Sequence, residues 1–310
     1  MNELELIARL TRCLPVNDSV IAGAGDDCAV VDLGLADRWG LLKIDAVTEG
    51  IHFTKEAPAR QVGHKALGRC LSDVAAMAGT PHHAVIALGL PPDFSPQYLD
   101  DLYEGINAHA TRYQVAVVGG EITRLPERLS ITVALLGSVG KQRCVLRSGA
   151  RSGDAILVTG ELGGSIHGKH LAFEPRLTEA AWLADHFPPH AMIDLSDGLA
   201  SDLRHILSAS GRGAELLAGA IPVSPAARLP QQSQHPPRPP LTAALCDGED
   251  YELLFTVDPK QTVPLRDAWI QAFPQLKLSC IGRITSEPGV RLRTKNGLQT
   301  LTDHGFLHFP

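Results

Sequence analysis

Residues 191–199 read Ala-Met-Ile-Asp-Leu-Ser-Asp-Gly-Leu, an apolar run that ends on an acid and continues through Ser-Asp-Gly. This run predicts a short buried strand with a carboxylate at its end. A carboxylate in that position costs free energy unless it is paired. We therefore expect Asp194 and Asp197 to lie beside a cation.

The rest of the chain alternates apolar runs with helical patterns, which is typical of an α/β (α+β) fold. Helical spacing of apolar residues covers 66–77 and 99–110. Strands are predicted at 41–44, 84–90, 115–118, 129–136 and 155–159.

The domain boundary is predicted near residue 145, because Ser152-Gly153-Asp154 resembles a turn that begins a new strand. This gives an N-terminal domain of residues 1–145 and a C-terminal domain of residues 146–310. Residues 222–240 are rich in proline and glutamine, which predicts a surface loop.

Charge and cysteine content exclude several classes of protein. The 310 residues include 28 basic and 34 acidic side chains, so the net charge is −6 and offers no basic field for nucleic acid. No basic leader and no long apolar run is visible, so we expect a cytoplasmic protein without a membrane partner. The six cysteines form no CxxC pair and are interpreted as reduced, mostly buried thiols.

Further acids share the setting of Asp194, at predicted strand ends or inside an apolar helix. They are Asp26-Asp27 after a glycine turn, Asp45 at the end of a strand, Asp73 in a helix, and Glu121 after a strand. Hard oxygen ligands near glycines suit Mg²⁺, which shares its coordination shell with substrate phosphates. Each acid taken alone is also compatible with an N-cap or turn role, but five such clusters favour metal binding.

Other candidates surround these acids. No P-loop and no GxGxxG is present, so any nucleotide is held by another arrangement. Arg147 is a candidate phosphate-binding guanidinium. The acidic stretch 247–252 runs into a predicted buried strand, and its role is either substrate contact, helix-end orientation or a charged turn.

Seven motifs occur in the order found in thiamine-monophosphate kinases, which the chain resembles over about residues 1–285. These enzymes belong to the superfamily of aminoimidazole ribonucleotide synthetase and selenophosphate synthetase. The motifs are Gly25–Val30, Asp45 with Glu49–Phe53, Leu71–Met77, Gly119-Gly120, Arg147–Ala150 with Gly153-Asp154, Ile193–Leu199 with Asp202-Leu203, and Gly248–Leu253.

The resemblance implies a two-domain aminoimidazole ribonucleotide synthetase-like fold whose N-terminal β-sheet forms a barrel across a homodimer. It implies ATP- and Mg²⁺-dependent phosphorylation of thiamine monophosphate to thiamine diphosphate, by direct in-line transfer. The implied metal ligands are Asp27, Asp45, Asp73, Glu121, Asp194 and Asp197, of which Asp45, Asp73 and Asp197 are catalytic. The implied ATP contacts are Gly120, Glu121, Arg147 and Ser196, and the implied acceptor contacts are His52 and Glu249.

The chain departs from the family pattern at several positions. Lys43-Ile44 stand where the family has Ser-Thr, Glu121 replaces an aspartate, Cys70 replaces an asparagine, and Asp247 replaces a glycine. Asp303 aligns with an aromatic residue that stacks on the thiamine ring, and nearby Phe306 is a candidate substitute. Two alternatives follow: a phosphotransferase or ligase of the same fold with another cofactor-pathway acceptor, and a non-catalytic nucleotide-binding homodimer.

Overall fold

The structure is a computed structural model that describes residues 3–229, 238–302 and 305–306. The helices are α1 (Glu3–Thr11), α2 (Ala59–Ala76), α3 (Pro96–Arg112), α4 (Lys169–Ala172), α5 (Leu177–His186), α6 (Leu199–Ser210), α7 (Pro240–Cys246) and α8 (Thr262–Ala272). The first six strands are β1 (Val20–Ala22), β2 (Ala29–Val31), β3 (Arg38–Thr48), β4 (Thr80–Leu90), β5 (Ala116–Arg124) and β6 (Ser130–Gly140). The others are β7 (Ala155–Thr159), β8 (Ala191–Asp194), β9 (Gly213–Leu217), β10 (Leu253–Val257), β11 (Leu278–Thr285), β12 (Gly289–Thr294) and β13 (Gly297–Thr300).

The chain divides into two compact units. We call Asp18–Cys144 with His170–Leu177 the N-terminal unit. The C-terminal unit comprises Met1–Asn17, Val145–Lys169 and Thr178–Pro310. Each unit contains one sheet with its own helices, so the predicted α/β class is confirmed.

The N-terminal unit is built on a six-stranded sheet in the order β1-β2-β3-β6-β4-β5. The pairs β3–β6 and β6–β4 are antiparallel, whereas β4–β5 is parallel. Helices α2 and α3 pack closely, since a Cβ at Gly63 would lie 2.0 Å from the Leu102 carbonyl oxygen. Glycine at this contact therefore lets α2 approach α3 and remain buried along most of its length.

The C-terminal unit is built on a seven-stranded mixed sheet in the order β13-β12-β9-β11-β7-β10-β8. Only β12–β9 among the described pairs is parallel. The neighbouring strands β7, β10 and β8 are buried throughout, as their uninterrupted apolar runs predict. Their side chains form one core with α6, in which Leu203 and Ile206 are fully buried.

Two predicted strand boundaries are wrong, and both concern candidate site residues. Asp45 does not end a strand, because β3 continues to Thr48. Glu121 does not follow a strand, because it lies inside β5. Asp194 is the last residue of β8 and Asp73 lies in α2, as predicted.

Other sequence predictions fall as follows. The predicted loop 222–240 contains a short 3-10 helix at Ala226–Arg228, and its residues 230–237 lie outside the described residues. All six cysteines are free thiols, but only Cys28, Cys70 and Cys246 are buried. Within the described residues, no helix has the length and apolarity needed to cross a membrane.

Candidate active site

In the N-terminal unit, two of the predicted carboxylates are held by two basic side chains. Lys43 Nζ lies 2.8 Å from Oδ1 of Asp73 and 3.7 Å from Oδ1 of Asp45. The Arg69 Nε lies 3.7 Å from the other oxygen of Asp45. The side chains of these four residues are between 9% and 19% exposed, so solvent screens their charges weakly. We call Lys43, Asp45, Arg69 and Asp73 the charge cluster.

The pKa of Lys43 reflects two opposing effects. Burial lowers the pKa of this ammonium, but the carboxylates of Asp73 and Asp45 raise it more. The net result is a pKa well above the ordinary value for lysine. Lys43 is therefore a permanent cation at physiological pH.

Asp27 adds a third carboxylate to this unit. Asp27 and Asp73 each offer a carboxylate oxygen, and the two oxygens lie within 4.8 Å of each other. Both residues are less than 10% exposed. Two buried acids at this separation repel each other unless a cation or a proton lies between them.

Cys70, at the position where the family has an asparagine, lies on α2 and faces the N-terminal sheet. Its Sγ is 3.4 Å from the carbonyl oxygen of Val133 on β6. Burial, followed by the charges of Asp45 and Asp73, raises the pKa of this thiol well above its ordinary value. Cys70 is thus a neutral packing residue beside the charge cluster.

Gly120 and Glu121 lie on opposite faces of the N-terminal sheet. The register aligns Asp45 with Val133, Ile86 and Gly120 in one row across β3, β6, β4 and β5. Glu121 belongs to the next row, whose side chains point to the other face. The structure therefore does not bring the exposed Glu121 side chain together with Asp45 and Asp73.

His52 lies in the turn that follows β3. Its Nδ1 accepts a hydrogen bond from the Thr48 backbone N–H at 3.1 Å. The ammonium of the fully buried Lys65 donates to the His52 carbonyl oxygen at 2.6 Å. These bonds fix both the backbone and the ring of the half-buried His52.

In the C-terminal unit, a cluster that includes one predicted acid lies at the start of α6. Asp197, Asp202 and His205 offer ligand atoms that lie within 4.8 Å of one another. Asp202 and His205 were not predicted as metal ligands from the sequence. Their spacing of three residues on a helix, which puts both side chains on one face, is the signal that could have revealed them.

Asp202 also closes the turn that leads into α6. One of its oxygens, Oδ2, accepts the backbone N–H groups of Asp197 at 3.1 Å and Gly198 at 3.0 Å. Burial, and then the charges of Asp197 and Asp194, raise the pKa of Asp202 well above its ordinary value. The positive charge of Arg147 opposes this shift, so its guanidinium lies within electrostatic reach of Asp202.

Ser196 and Glu249 are brought together by backbone pairing beyond β8. The Glu249 N–H donates to the Ser196 carbonyl oxygen at 2.7 Å, and the Tyr251 N–H donates to Leu195 at 2.8 Å. Glu249 and Tyr251 have φ values of 55° and 49°, which L-residues rarely adopt. Such strain often occurs where a loop presents functional groups.

Three other acids of the stretch 247–252 bind groups of the chain itself. Asp250 accepts from the Gly163 N–H at 3.0 Å and from the Ser165 hydroxyl. Asp247 accepts from the Gly164 N–H at 3.0 Å. Burial raises the pKa of Asp250 to about 6, despite these bonds and the nearby Lys169.

Glu252 completes this arrangement. It accepts from the Thr159 hydroxyl at 2.7 Å and from Lys169 Nζ at 2.8 Å. Asp247, Asp250 and Glu252 therefore hold the glycine loop 163–165 and the end of β7 in place. The prediction that Glu249 contacts the substrate stays a prediction.

The C-terminal segment docks on the same turn. Phe306 N–H donates to the Asp197 carbonyl oxygen at 2.9 Å, and Gly305 N–H donates to the Ser201 hydroxyl at 2.8 Å. The Phe306 side chain is 49% exposed. Asp303 lies outside the described residues, so its alignment with the family aromatic stays a prediction.

Comparison with known proteins first defines the class. Residues 25–139 match the family model "AIR synthase related protein, N-terminal domain". This range covers the six-stranded sheet except β1 and the last residue of β6. The architecture is therefore that of AIR synthase related proteins.

Full-length relatives define the family. Thiamine-monophosphate kinase of Rhodopirellula baltica is 37% identical over 307 residues, covering 96% of this chain and 93% of the relative. That of Aquifex aeolicus is 34% identical and covers 92% of both chains. The solved structure of AaThiL complexed with AMPPCP and TMP matches 99% of this chain and 97% of its own, with a TM-score of 0.78 and 30% identity. The chain belongs to the thiamine-monophosphate kinase family.

Proposed function

We propose that this protein phosphorylates thiamine monophosphate to thiamine diphosphate with ATP as donor. The observation that carries the proposal is the similarity over 99% of the chain to AaThiL, which was solved with AMPPCP and TMP. AMPPCP is an analogue of ATP, and TMP stands for thiamine monophosphate. The motifs that carry the family resemblance contain the acids and turns of the candidate site.

Magnesium is the cation that suits the donor set. Asp27 with Asp73, and Asp197 with Asp202, are pairs of closely spaced carboxylates that hard divalent cations prefer. Asp194 lies at the end of β8 and adds negative charge to the second pair. Bound Mg²⁺ would neutralise phosphate charge and so favour phosphoryl transfer. Asp45 lies between Lys43 and Arg69.

The remaining candidates are assigned to the two substrates. Arg147 and Ser196 would contact ATP, since a guanidinium and a hydroxyl both donate to phosphate oxygens. His52 and Glu249 would contact the acceptor. Gly120 allows close strand approach, and Glu121 would lie near the donor only if a neighbouring chain brings phosphate to its face of the sheet.

The proposed reaction is a single displacement. An oxygen of the acceptor's phosphate attacks the γ-phosphorus of ATP, the bond from γ-phosphorus to the bridging oxygen breaks, and ADP leaves with that electron pair. No covalent enzyme intermediate is needed, so the contribution of the chain is positioning and charge neutralisation. Fixed groups such as the turn of residues 196–198 suit this role because they do not reorganise during the reaction.

We also propose a homodimer that buries the outer face of the N-terminal sheet, within the predicted domain of residues 1–145. Leu42, Ile44 and Val85 are 43–64% exposed on this face. Ile44, Ala134 and Val85 form one row across three strands, and Leu136 adjoins Leu42. A contiguous exposed apolar face favours association, and two-fold symmetry is the commonest solution. Sedimentation that shows only monomer at micromolar concentration would contradict the dimer.

The test of the reaction is formation of thiamine diphosphate by the pure protein with ATP and Mg²⁺, assayed with and without thiamine monophosphate. We expect ADP and thiamine diphosphate in equal amounts, and little ADP without the acceptor. Binding of ATP without product would favour the alternative of another acceptor. Absence of ATP binding would reject the proposed kinase and also the alternative enzyme with another acceptor.

Matched variants link the reaction to the acids. We expect Asp73→Asn and Asp194→Asn each to lose at least about 100-fold in turnover while remaining folded, because each loses a charge at the metal sites. Asp93→Asn is the control, since Asp93 is 77% exposed and 4.0 Å from Lys55. A variant at Asp73 or Asp194 with unchanged turnover would remove that residue from the proposed ligands.

A further inference from the structure

The charge cluster is electrically balanced without any metal ion. Its two carboxylates, Asp45 and Asp73, face two permanent cations, Lys43 and Arg69. The Arg69 guanidinium also donates to the Ala46 carbonyl oxygen at 3.0 Å, which anchors it beside β3. The four charges of the cluster sum to zero, so the pair Asp45 and Asp73 is neutralised within the cluster without a divalent cation between them.

The strand β3 and the helix α2 place these four side chains close to one another. Lys43 and Asp45 are two residues apart on β3 and share the inner face of the sheet, which α2 covers. Arg69 and Asp73 are four residues apart on α2, so they share one face of the helix. The cluster is therefore built from two regular elements, whose rigidity keeps the ammonium beside both acids.

We propose that the Lys43 ammonium takes the place of one divalent cation between Asp45 and Asp73, so that Asp45 is a salt-bridge partner and not a metal ligand. This inference rests on the proposed function, because it concerns the metal requirement of that reaction. At 2.8 Å, the ammonium occupies the approach to Oδ1 of Asp73 that a metal ion would need. Its charge also repels a second cation at the same point.

The proposal leaves one metal position in the N-terminal unit. Asp27 and Asp73 offer oxygens within 4.8 Å of each other. A divalent ion between these two acids would bind Asp73 through its second oxygen, Oδ2, since Lys43 binds Oδ1. The chain would thus bind one ion fewer than the same frame with a hydroxyl residue at position 43.

The test counts Mn²⁺ ions bound per chain, without nucleotide, from the electron paramagnetic resonance signal of free Mn²⁺. We expect Lys43→Ser to bind one ion more than the unchanged chain, because it removes the ammonium from between the two carboxylates. Lys43→Arg keeps the cation and should keep the unchanged count. Lys55→Ser, at an exposed ion pair, is the control for loss of a lysine. An unchanged count in Lys43→Ser would overturn the proposal.

A second variant keeps the test decisive even where Lys43→Ser does not fold. In the otherwise unchanged chain, Asp45→Asn should leave the number of bound Mn²⁺ ions the same, because Asp45 binds Lys43 and Arg69. Loss of one ion in Asp45→Asn would show that Asp45 is a ligand and would overturn the inference. Circular dichroism spectra check that each variant is folded.

The test of Lys43 can be distinguished from the test of the proposed function, because counting bound ions does not require the enzyme to turn over. Formation of thiamine diphosphate with an unchanged count in Lys43→Ser would keep the reaction and reject this role for Lys43. An added ion in Lys43→Ser without any thiamine diphosphate from the unchanged chain would keep the role of Lys43 and reject the reaction.

Discussion

Gly120 on β5 lies so close to Ile86 on β4 that a Cβ at position 120 would be 1.9 Å from the Ile86 carbonyl oxygen. Its neighbour Gly119 has no atom within 4 Å of the corresponding position. Neither glycine has a positive φ. The need for glycine at position 120 is therefore close strand packing, whatever ligand this strand also meets.

This relationship predicts different effects for two neighbouring substitutions. We expect Gly120→Ala to lower the free energy of unfolding by about 1–3 kcal/mol, because the strands must separate to admit the methyl group. Gly119→Ala should change it by less than about 0.5 kcal/mol. Urea unfolding of both variants is the measurement. Weakened ATP binding by Gly120→Ala at unchanged stability would instead assign the glycine to the cofactor alone.

The sequence predicted the elements around the C-terminal acids better than those around Asp45. The apolar run before Asp194 is buried on both faces, so its length and end are visible in composition alone. On β3 the usual alternation is reversed: Ile44 is exposed, whereas the charged Lys43 and Asp45 are half-buried. A pattern that puts charge inside and apolar side chains outside conflicts with simple strand rules, as functional sites often do.

Side-chain partnerships depended on the tertiary fold. That Lys43 reaches Asp73 follows from packing of α2 on β3, thirty residues apart in sequence. That Asp202 lies beside Asp197 follows from the turn at Gly198, whose φ of 105° is available to glycine. Neither contact has a signal in local composition.

His109 predicts a pH dependence of stability. Burial, and then the nearby His64 and Arg112, lower the pKa of His109 from 6.5 to about 3. Below about pH 6.5 the unfolded chain gains a proton here and the folded chain does not. Stability is therefore fully present above pH 6.5 and falls as the pH is lowered toward 3, by up to about 1.4 kcal/mol per pH unit.

His109→Gln removes this titration, so its free energy of unfolding should fall less steeply between pH 6 and pH 4 than that of the unchanged chain. Urea unfolding at several pH values gives the two slopes. His167→Gln, at an exposed histidine, should keep the original slope. Equal slopes for His109→Gln and the unchanged chain would show that His109 is protonated in the folded state.

Substitutions at Asp202 distinguish the effect of its charge from that of its hydrogen bonds. A single oxygen of Asp202 accepts both backbone N–H groups, and the amide oxygen of Asn is able to do the same. Without metal, Asp202→Asn should melt at the same or a higher temperature, since it removes repulsion from Asp194 and Asp197. The rise in melting temperature on adding Mg²⁺ should become smaller.

Asp202→Ala is the matched control, because it loses both the charge and the two hydrogen bonds. It should lower the melting temperature of the metal-free protein, with a loss of about 1–3 kcal/mol in the free energy of unfolding. A stabilisation by Mg²⁺ in Asp202→Asn as large as in the unchanged chain would exclude Asp202 from metal binding.

Phe306 is the described aromatic residue whose backbone is tied to the Asp197 turn, and its ring is half-exposed. An exposed ring at this position suits stacking on a planar cationic or heteroaromatic ring, such as those of thiamine. Stacking of bases on aromatic side chains contributes about 1–3 kcal/mol per ring. We therefore expect Phe306→Ala to weaken binding of thiamine monophosphate about 10- to 100-fold.

Calorimetric titration with each substrate separately measures this effect. The affinity for ATP should change less than about twofold in Phe306→Ala, because the triphosphate is assigned to Arg147, Ser196 and the acids. Phe306→Trp should retain acceptor binding, since it keeps an aromatic face. Phe94→Ala removes a ring that is similarly exposed, at 44%, and should leave both affinities unchanged. Undiminished binding of thiamine monophosphate by Phe306→Ala would mean that the acceptor ring is held elsewhere.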